Sequence, residues 1–171
     1  HEIANLGIGR KFQRPTVIDN ITVWDNLNID IKTNKSFLSS LLFELNEKNK
    51  NKIISVLKTI NLEEKKYLVA KQLSHGEKQW LEIGMLLMQQ PELLLIDEPV
   101  AGMTEKETKN TSNLLKKISR DKTVLVVEHD MKFVESLDVE VVVLHEGSVL
   151  TSGKMSKVKS NTQVIDVYLG R

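Results

Sequence analysis

The chain has 171 residues, 40% of them apolar, and carries 24 Lys and Arg against 23 Asp and Glu, for a formal net charge of +1. That length suits one domain or one and a fraction, and a charge so near zero leaves no global field to draw in nucleic acid or an anionic membrane. Cysteine is absent, which excludes disulfides, Cys-based zinc sites and a Cys nucleophile and is compatible with a reducing cytosol.

No apolar stretch approaches the ~18 residues of a membrane-spanning helix, and no signal peptide is visible. A soluble chain is expected, whose membrane contact would pass through a partner. The run Lys48-Asn49-Lys50-Asn51-Lys52 reads as a solvated helix face or loop, because no aromatic residue interleaves with it as in a nucleic-acid groove. The chain opens on His1-Glu2-Ile3-Ala4 without an initiator methionine, so it is expected to be cut from a longer protein.

In chain order, residues 7–12 read as a short strand, ended by Gln13-Arg14-Pro15, where proline forbids regular continuation. Residues 22–60 read as helical: Trp24, Leu27 and Ile31 recur at spacings of three and four, as do Phe37, Leu41, Leu42 and Leu45, and then Ile53, Val56, Leu57 and Ile60. Ser74-x-x-Glu77 is a capping box, and its helix is expected to run to Gln90, stopped by Pro91. Leu93-Leu94-Leu95-Ile96 reads as a strand buried on both faces. Thr104-x-x-Glu107 is a second capping box, opening a helix through Leu114, Leu115 and Ile118. Residues 123–127 read as a strand and 131–137 as a short helix. Residues 139–144 and 148–150 read as hairpin strands about Glu146-Gly147, and 162–169 as a closing helix. Strand, helix, strand, helix implies parallel pairing with crossovers and an α/β core.

Three segments carry chemistry. Asp97-Glu98-Pro99 ends the apolar strand. One reading is a strand that stops at acidic turn residues. The other places two carboxylates at the carboxyl end of a parallel strand, where open α/β sheets bind ligands. There Asp97 suits magnesium, usually through a water, and Glu98 is placed to orient or deprotonate an attacking water. His129 ends the next strand, either as a structural histidine or as an imidazole able to reach a phosphate or the attacking water. In Ser74-His75-Gly76-Glu77 the cap alone accounts for Ser and Glu, yet a helix start with unpaired N–H groups also binds phosphate, and Gly76 permits close approach.

Taken in order, residues 73–79 (Leu-Ser-His-Gly-Glu-Lys-Gln), 93–99 (Leu-Leu-Leu-Ile-Asp-Glu-Pro) and 124–130 (Val-Leu-Val-Val-Glu-His-Asp) resemble the ATPase subunit of an ABC transporter. The resemblance implies an α/β fold: part of a P-loop NTPase (RecA-like) parallel-sheet core with an inserted all-helical subdomain and a C-terminal β-hairpin and helix. It divides the chain into a strand and Q-loop over 1–18, a helical signature subdomain over 19–90, and the rest of the ATPase core over 91–171. It implies ATP and magnesium as cofactors. It also implies transmembrane permease subunits and a second ATPase subunit as partners, and a cytoplasmic place on the inner face of the cell membrane. Asp97 and Glu98 take the Walker B and catalytic positions, His129 that of the switch histidine, and Gln13 that of the Q-loop glutamine that reaches magnesium and water. Ser74, His75, Gly76 and Glu77 form the signature loop that clasps ATP held by the opposite subunit, and residues 100–104 (Val-Ala-Gly-Met-Thr) resemble the D-loop that crosses the dimer interface.

The chain departs from this pattern. The family reads Leu-Ser-Gly-Gly-Gln, where His75 replaces a glycine and Glu77 the glutamine, and Thr104 stands where an aspartate is common. Glu77 is expected either to face the γ-phosphate or to turn back onto its own helix. No G-x-x-x-x-G-K-S/T phosphate loop occurs, so the chain as it stands is expected to hydrolyse ATP negligibly. Within the family, residues 7–13, 74–84, 98–104 and 164–170 look most like the ATP-binding subunits of urea and branched-chain amino-acid importers. Two alternatives stand beside the transport motor. An ATPase head of DNA repair or chromosome maintenance would need coiled coils or Cys-bearing insertions that residues 13–73 lack, and a non-catalytic fragment would only dimerise or dock.

Overall fold

The structure is a computed structural model that describes residues 7–11, 16–31 and 47–168. The helical expectation at Phe37, Leu41, Leu42 and Leu45 and the site residue Gln13 lie outside the described residues. The chain forms two compact units, His1–Val127 and Glu128–Arg171.

The first unit is built on a parallel three-stranded sheet in the order β1 (Ile8–Lys11), β2 (Leu93–Asp97), β3 (Thr123–Val127). The register sets Lys11 beside Ile96 and Asp97 beside Val127. Its helices are α1 (Val23–Ile29), α2 (Glu47–Thr59), α3 (His75–Met88) and α4 (Glu105–Ile118), with single 3₁₀ turns at Glu63–Lys65 and Ala70–Gln72. Each start that carries a hydroxyl is capped: Thr22 accepts from the Asp25 amide, Ser74 from Glu77 and Thr104 from Glu107. Helix α3 stops at Met88, short of the expected Gln90, because Gln90 takes a left-handed φ of 55° ahead of Pro91.

The helical core is continuous: Val23 and Leu27 of α1, Ile53 and Leu57 of α2, Ile60, and Leu81, Ile83 and Met88 of α3 are all buried. Gly84 lets these helices close up. A Cβ there would stand 2.7 Å from the Ile60 side chain and 3.1 Å from Leu27, so any larger residue forces these packed side chains to shift.

The expectation that β2 is buried on both faces is corrected. Burial alternates: Leu94 and Ile96 are buried, Leu93 and Leu95 only partly so. The face holding Gly9, Lys11, Leu94 and Ile96 lies under α3, while on the opposite face of β3 Leu125 and Val127 are 51% and 56% exposed. A parallel strand reads as a continuous apolar run only when both faces are covered, and among the described residues cover is complete on one.

The second unit holds α5 (Met131–Leu137), the antiparallel hairpin β4 (Glu140–His145) and β5 (Ser148–Lys154), then α6 (Met155–Lys159) and α7 (Thr162–Tyr168). Glu146 and Gly147 turn the hairpin with φ of 48° and 77°, the left-handed pair of a type I′ connection. Val143, Met155, Val158 and Val164 form its core. Helix α6 was not expected from sequence: at five residues it is too short for a periodic signal.

Candidate functional site

Asp97 is the last residue of β2 and Glu98 follows it into the turn. Glu98 has φ of +45°, a conformation that costs a non-glycine residue roughly 1–2 kcal/mol. Its backbone N–H donates to the Val127 carbonyl at 2.9 Å, which extends the β2–β3 ladder by one bond and fixes the turn. Both side chains are half-buried at the carboxyl end of the sheet, the ligand-binding end of this architecture. The turn then runs through buried Val100 to Gly102, whose φ of 72° suits glycine.

The start of α3 meets this segment. His75 Nε2 lies 3.0 Å from the Ala101 carbonyl oxygen. Ser74 Oγ donates to Glu107 Oε1 at 2.8 Å, and the other oxygen of the same carboxylate accepts from the Thr104 amide at 3.0 Å and the Thr104 hydroxyl at 2.8 Å. The Thr104 backbone N–H, with the Ser74 and Thr104 hydroxyls adding to it, holds the Glu107 carboxyl below the usual glutamate range. Glu77 turns back onto its own helix: it accepts from the Ser74 amide at 3.1 Å and pairs with Lys65. Trp80 donates to Thr111 at 2.9 Å in the buried interior, locking α3 to α4.

The residues sequence reasoning passed over lie deeper. Glu82, in the middle of α3, is buried and forms an ion pair with Lys11 at 3.6 Å, the two side chains 3% and 1% exposed. It also accepts from the Thr16 amide at 2.7 Å and the Thr16 hydroxyl at 3.1 Å. One carboxylate thus fixes both Lys11 and Thr16, the described residues flanking Gln13. The only trace in sequence is a glutamate in an otherwise apolar run, Trp80-Leu81-Glu82-Ile83-Gly84. In the second unit Glu128 is buried and accepts from the backbone N–H groups of His129 at 2.9 Å and Asp130 at 3.3 Å, while the His129 ring is largely exposed. Its signal was legible, since an acidic residue follows β3 as Glu98 follows β2. Asp130 then caps α5 by accepting from the Lys132 and Phe133 amides. Glu107 was recognised as a cap, but its reach to Ser74 across the fold was not.

The ABC transporter family model matches residues 1–101, and the chain belongs to that family, the ATP-binding subunits that drive transporters. Among curated relatives, the high-affinity branched-chain amino acid transport ATP-binding protein BraF of Pseudomonas aeruginosa is 34% identical over 179 residues, covering 99% of this chain and 70% of the relative. LivG of Escherichia coli, described in the same terms, is 32% identical over 178 residues with the same coverage. A solved ATP-binding cassette of an ABC transporter superposes with a TM-score of 0.82 at 28% identity, over 99% of this chain and 71% of that one. The same cassette in its ADP conformation gives 0.79. The mixed α/β architecture with a parallel sheet is therefore that of the ABC ATPases, as the ordered motifs implied. Members of this family hydrolyse ATP in full-length form and work as subunits of membrane transporters. No described helix is long and apolar enough to cross a membrane.

Proposed function

We propose that the protein is the ATP-hydrolysing motor of an importer for branched-chain amino acids, working as a dimer against a membrane-embedded permease on the cytoplasmic face. The observation that carries the reading is the end of β2: Asp97 and Glu98 stand adjacent at the ligand-binding end of the sheet, and Glu98 is held in a strained turn by the Val127 carbonyl. The importer's substrate is drawn from the relatives, whose names specify branched-chain amino acids.

Among the described residues no three metal-type side chains cluster. The adjacent carboxylates of Asp97 and Glu98 at the end of β2 fit magnesium brought in with a nucleotide, because such an ion takes one or two carboxylates and fills its shell with phosphate and water. Asp97, with Gln13, would hold it. When bound it supplies charge neutralisation at the phosphates. Glu98 is the general base that orients and deprotonates the attacking water. His129, presented by a backbone loop that Glu128 fixes, is assigned to the γ-phosphate. Ser74 and the backbone N–H groups at His75 and Gly76 clasp the phosphates of ATP on the opposite subunit through a helix start. Glu77 is assigned to holding that loop in shape, consistent with its bonds to Ser74 and Lys65. Gln13 and the helices that follow would pass closure to the permease.

The test is Glu98→Gln in the full-length protein reconstituted with its permease. ATP binding is expected to persist while turnover falls on the order of 10²–10⁴-fold. A rate within a few-fold of wild type with binding intact rejects the role. Uptake of labelled leucine, isoleucine and valine, measured against urea and methionine, settles the substrate. Uptake of urea alone would replace the branched-chain reading.

A further inference from the structure

The same carboxylate that caps α4 also occupies the signature serine. A serine hydroxyl has one proton to give and two lone pairs. In Ser74 a lone pair accepts from the Glu77 amide at 3.2 Å, as the helix cap requires, and the proton goes to Glu107 Oε1 at 2.8 Å. Phosphate oxygens only accept, so a phosphate arriving at this helix start competes with Glu107 for that one proton. It also meets the Glu107 charge, which the Thr104 and Ser74 bonds hold in place. The space confirms how close the carboxylate lies: a Cβ on Gly76 would stand 2.6 Å from Glu107 Oε1. His75, one of the departures from the usual loop, makes a second tie between the same two segments through Ala101.

We propose that Glu107 is a positioning residue for nucleotide clasping. It ties the start of α3 to the segment 100–104 within one subunit, and it releases Ser74 when ATP phosphate takes the serine proton. Clasping and the position of segment 100–104 are thereby exchanged for one another. The proposal rests on the reading of the protein as an ABC motor.

The experiment uses the full-length protein, with steady-state ATPase kinetics and thermal melting of each variant. Glu107→Gln removes the competing charge. Glu107→Asp keeps the charge on a side chain one methylene shorter, which weakens the reach to Ser74 without removing the carboxylate. Both are expected to lower the KM for ATP by about 3–10-fold, the net scale of one ordinary hydrogen bond, with kcat changing by less. In a Ser74→Ala background Glu107→Asp is expected to move KM by less than about 2-fold, because the shared proton is gone, while Glu107→Gln keeps only the smaller part of its shift that comes from removing the charge. A folded Glu107→Asp protein with wild-type KM overturns the proposal. So does a KM shift of equal size with and without Ser74, which is what a purely structural cap would give. Absence of ATP turnover in the wild-type full-length protein removes the motor reading and this proposal with it. Wild-type turnover without the KM shift removes the proposal alone.

Discussion

Helix α3 carries two glutamates whose surroundings are opposite. Glu77, at its exposed start, shares its carboxylate among a backbone amide and an exposed lysine. Glu82, further along the same helix, is sealed from solvent with Lys11 and also accepts from the exposed Thr16. The first kind of contact is the weaker and more exchangeable, because water competes for it. The second is costly to break, because a buried charge that loses its partner has no water to turn to. A helix that must let go of a ligand at one end while keeping its place in the fold at the other would need this division. On the proposed reading, the start of α3 would trade its contacts for nucleotide while its middle stays fixed to β1.

The contrast breaks most sharply at Glu82. Glu82→Ala leaves Lys11 buried without a counter-charge and Thr16 without its acceptor, and is expected to cost about 3–5 kcal/mol in denaturant unfolding. The double change Lys11→Met with Glu82→Leu sharpens the test: it should restore most of that loss, since replacing both charges by apolar side chains of similar volume is often neutral. If the single change costs no more than a surface substitution, the buried pair contributes nothing to the fold and the contrast collapses.

A smaller effect is expected at the exposed start of α4, whose Glu107 is tied to the start of α3 through Ser74. Thr104→Ala removes the hydroxyl that accepts from the Glu107 amide and donates to its carboxylate, and should cost about 1 kcal/mol, the ordinary loss for a helix cap. Melting temperatures of the Thr104→Ala and Glu82→Ala proteins, measured side by side, rank the two regions directly.

The smallest effect is one of pH. Glu107 is held below the ordinary glutamate range in the folded state, first by the Thr104 backbone N–H. The unfolded chain therefore binds the proton more readily, and the contribution of Glu107 to stability is complete above its unfolded value and lost as pH falls through its folded value. Asp30 runs the other way: burial raises it, against an opposing bond from Gln89, so its contribution is present in acid and is lost as pH rises through the raised value. Melting the Glu107→Gln and Asp30→Asn proteins from neutral to acidic pH should show the first losing part of the acid-side decline of wild type and the second steepening it. Parallel curves for all three proteins would show that neither carboxylate is perturbed.

What the sequence determined by itself was local and ordered. Thr123–Val127 and Met131–Leu137 are where the sequence reading put a strand and a short helix. The two capping boxes start α3 and α4, and the order of the Ser74, Asp97 and His129 segments indicated the family. Caps, turns and motif order depend on residues a few positions apart, so a single chain displays them. Tertiary structure decided the rest. Whether β2 is covered on one face or two depends on which helices reach it. That Ser74 gives its proton to Glu107, and that Glu82 binds Lys11 and Thr16, depends on elements far apart in the chain meeting in space. A carboxylate in a helix has the same letter whether it faces water, a backbone amide or a buried lysine. Only packing sets the solvation and partners that separate a replaceable cap from a fixed ion pair.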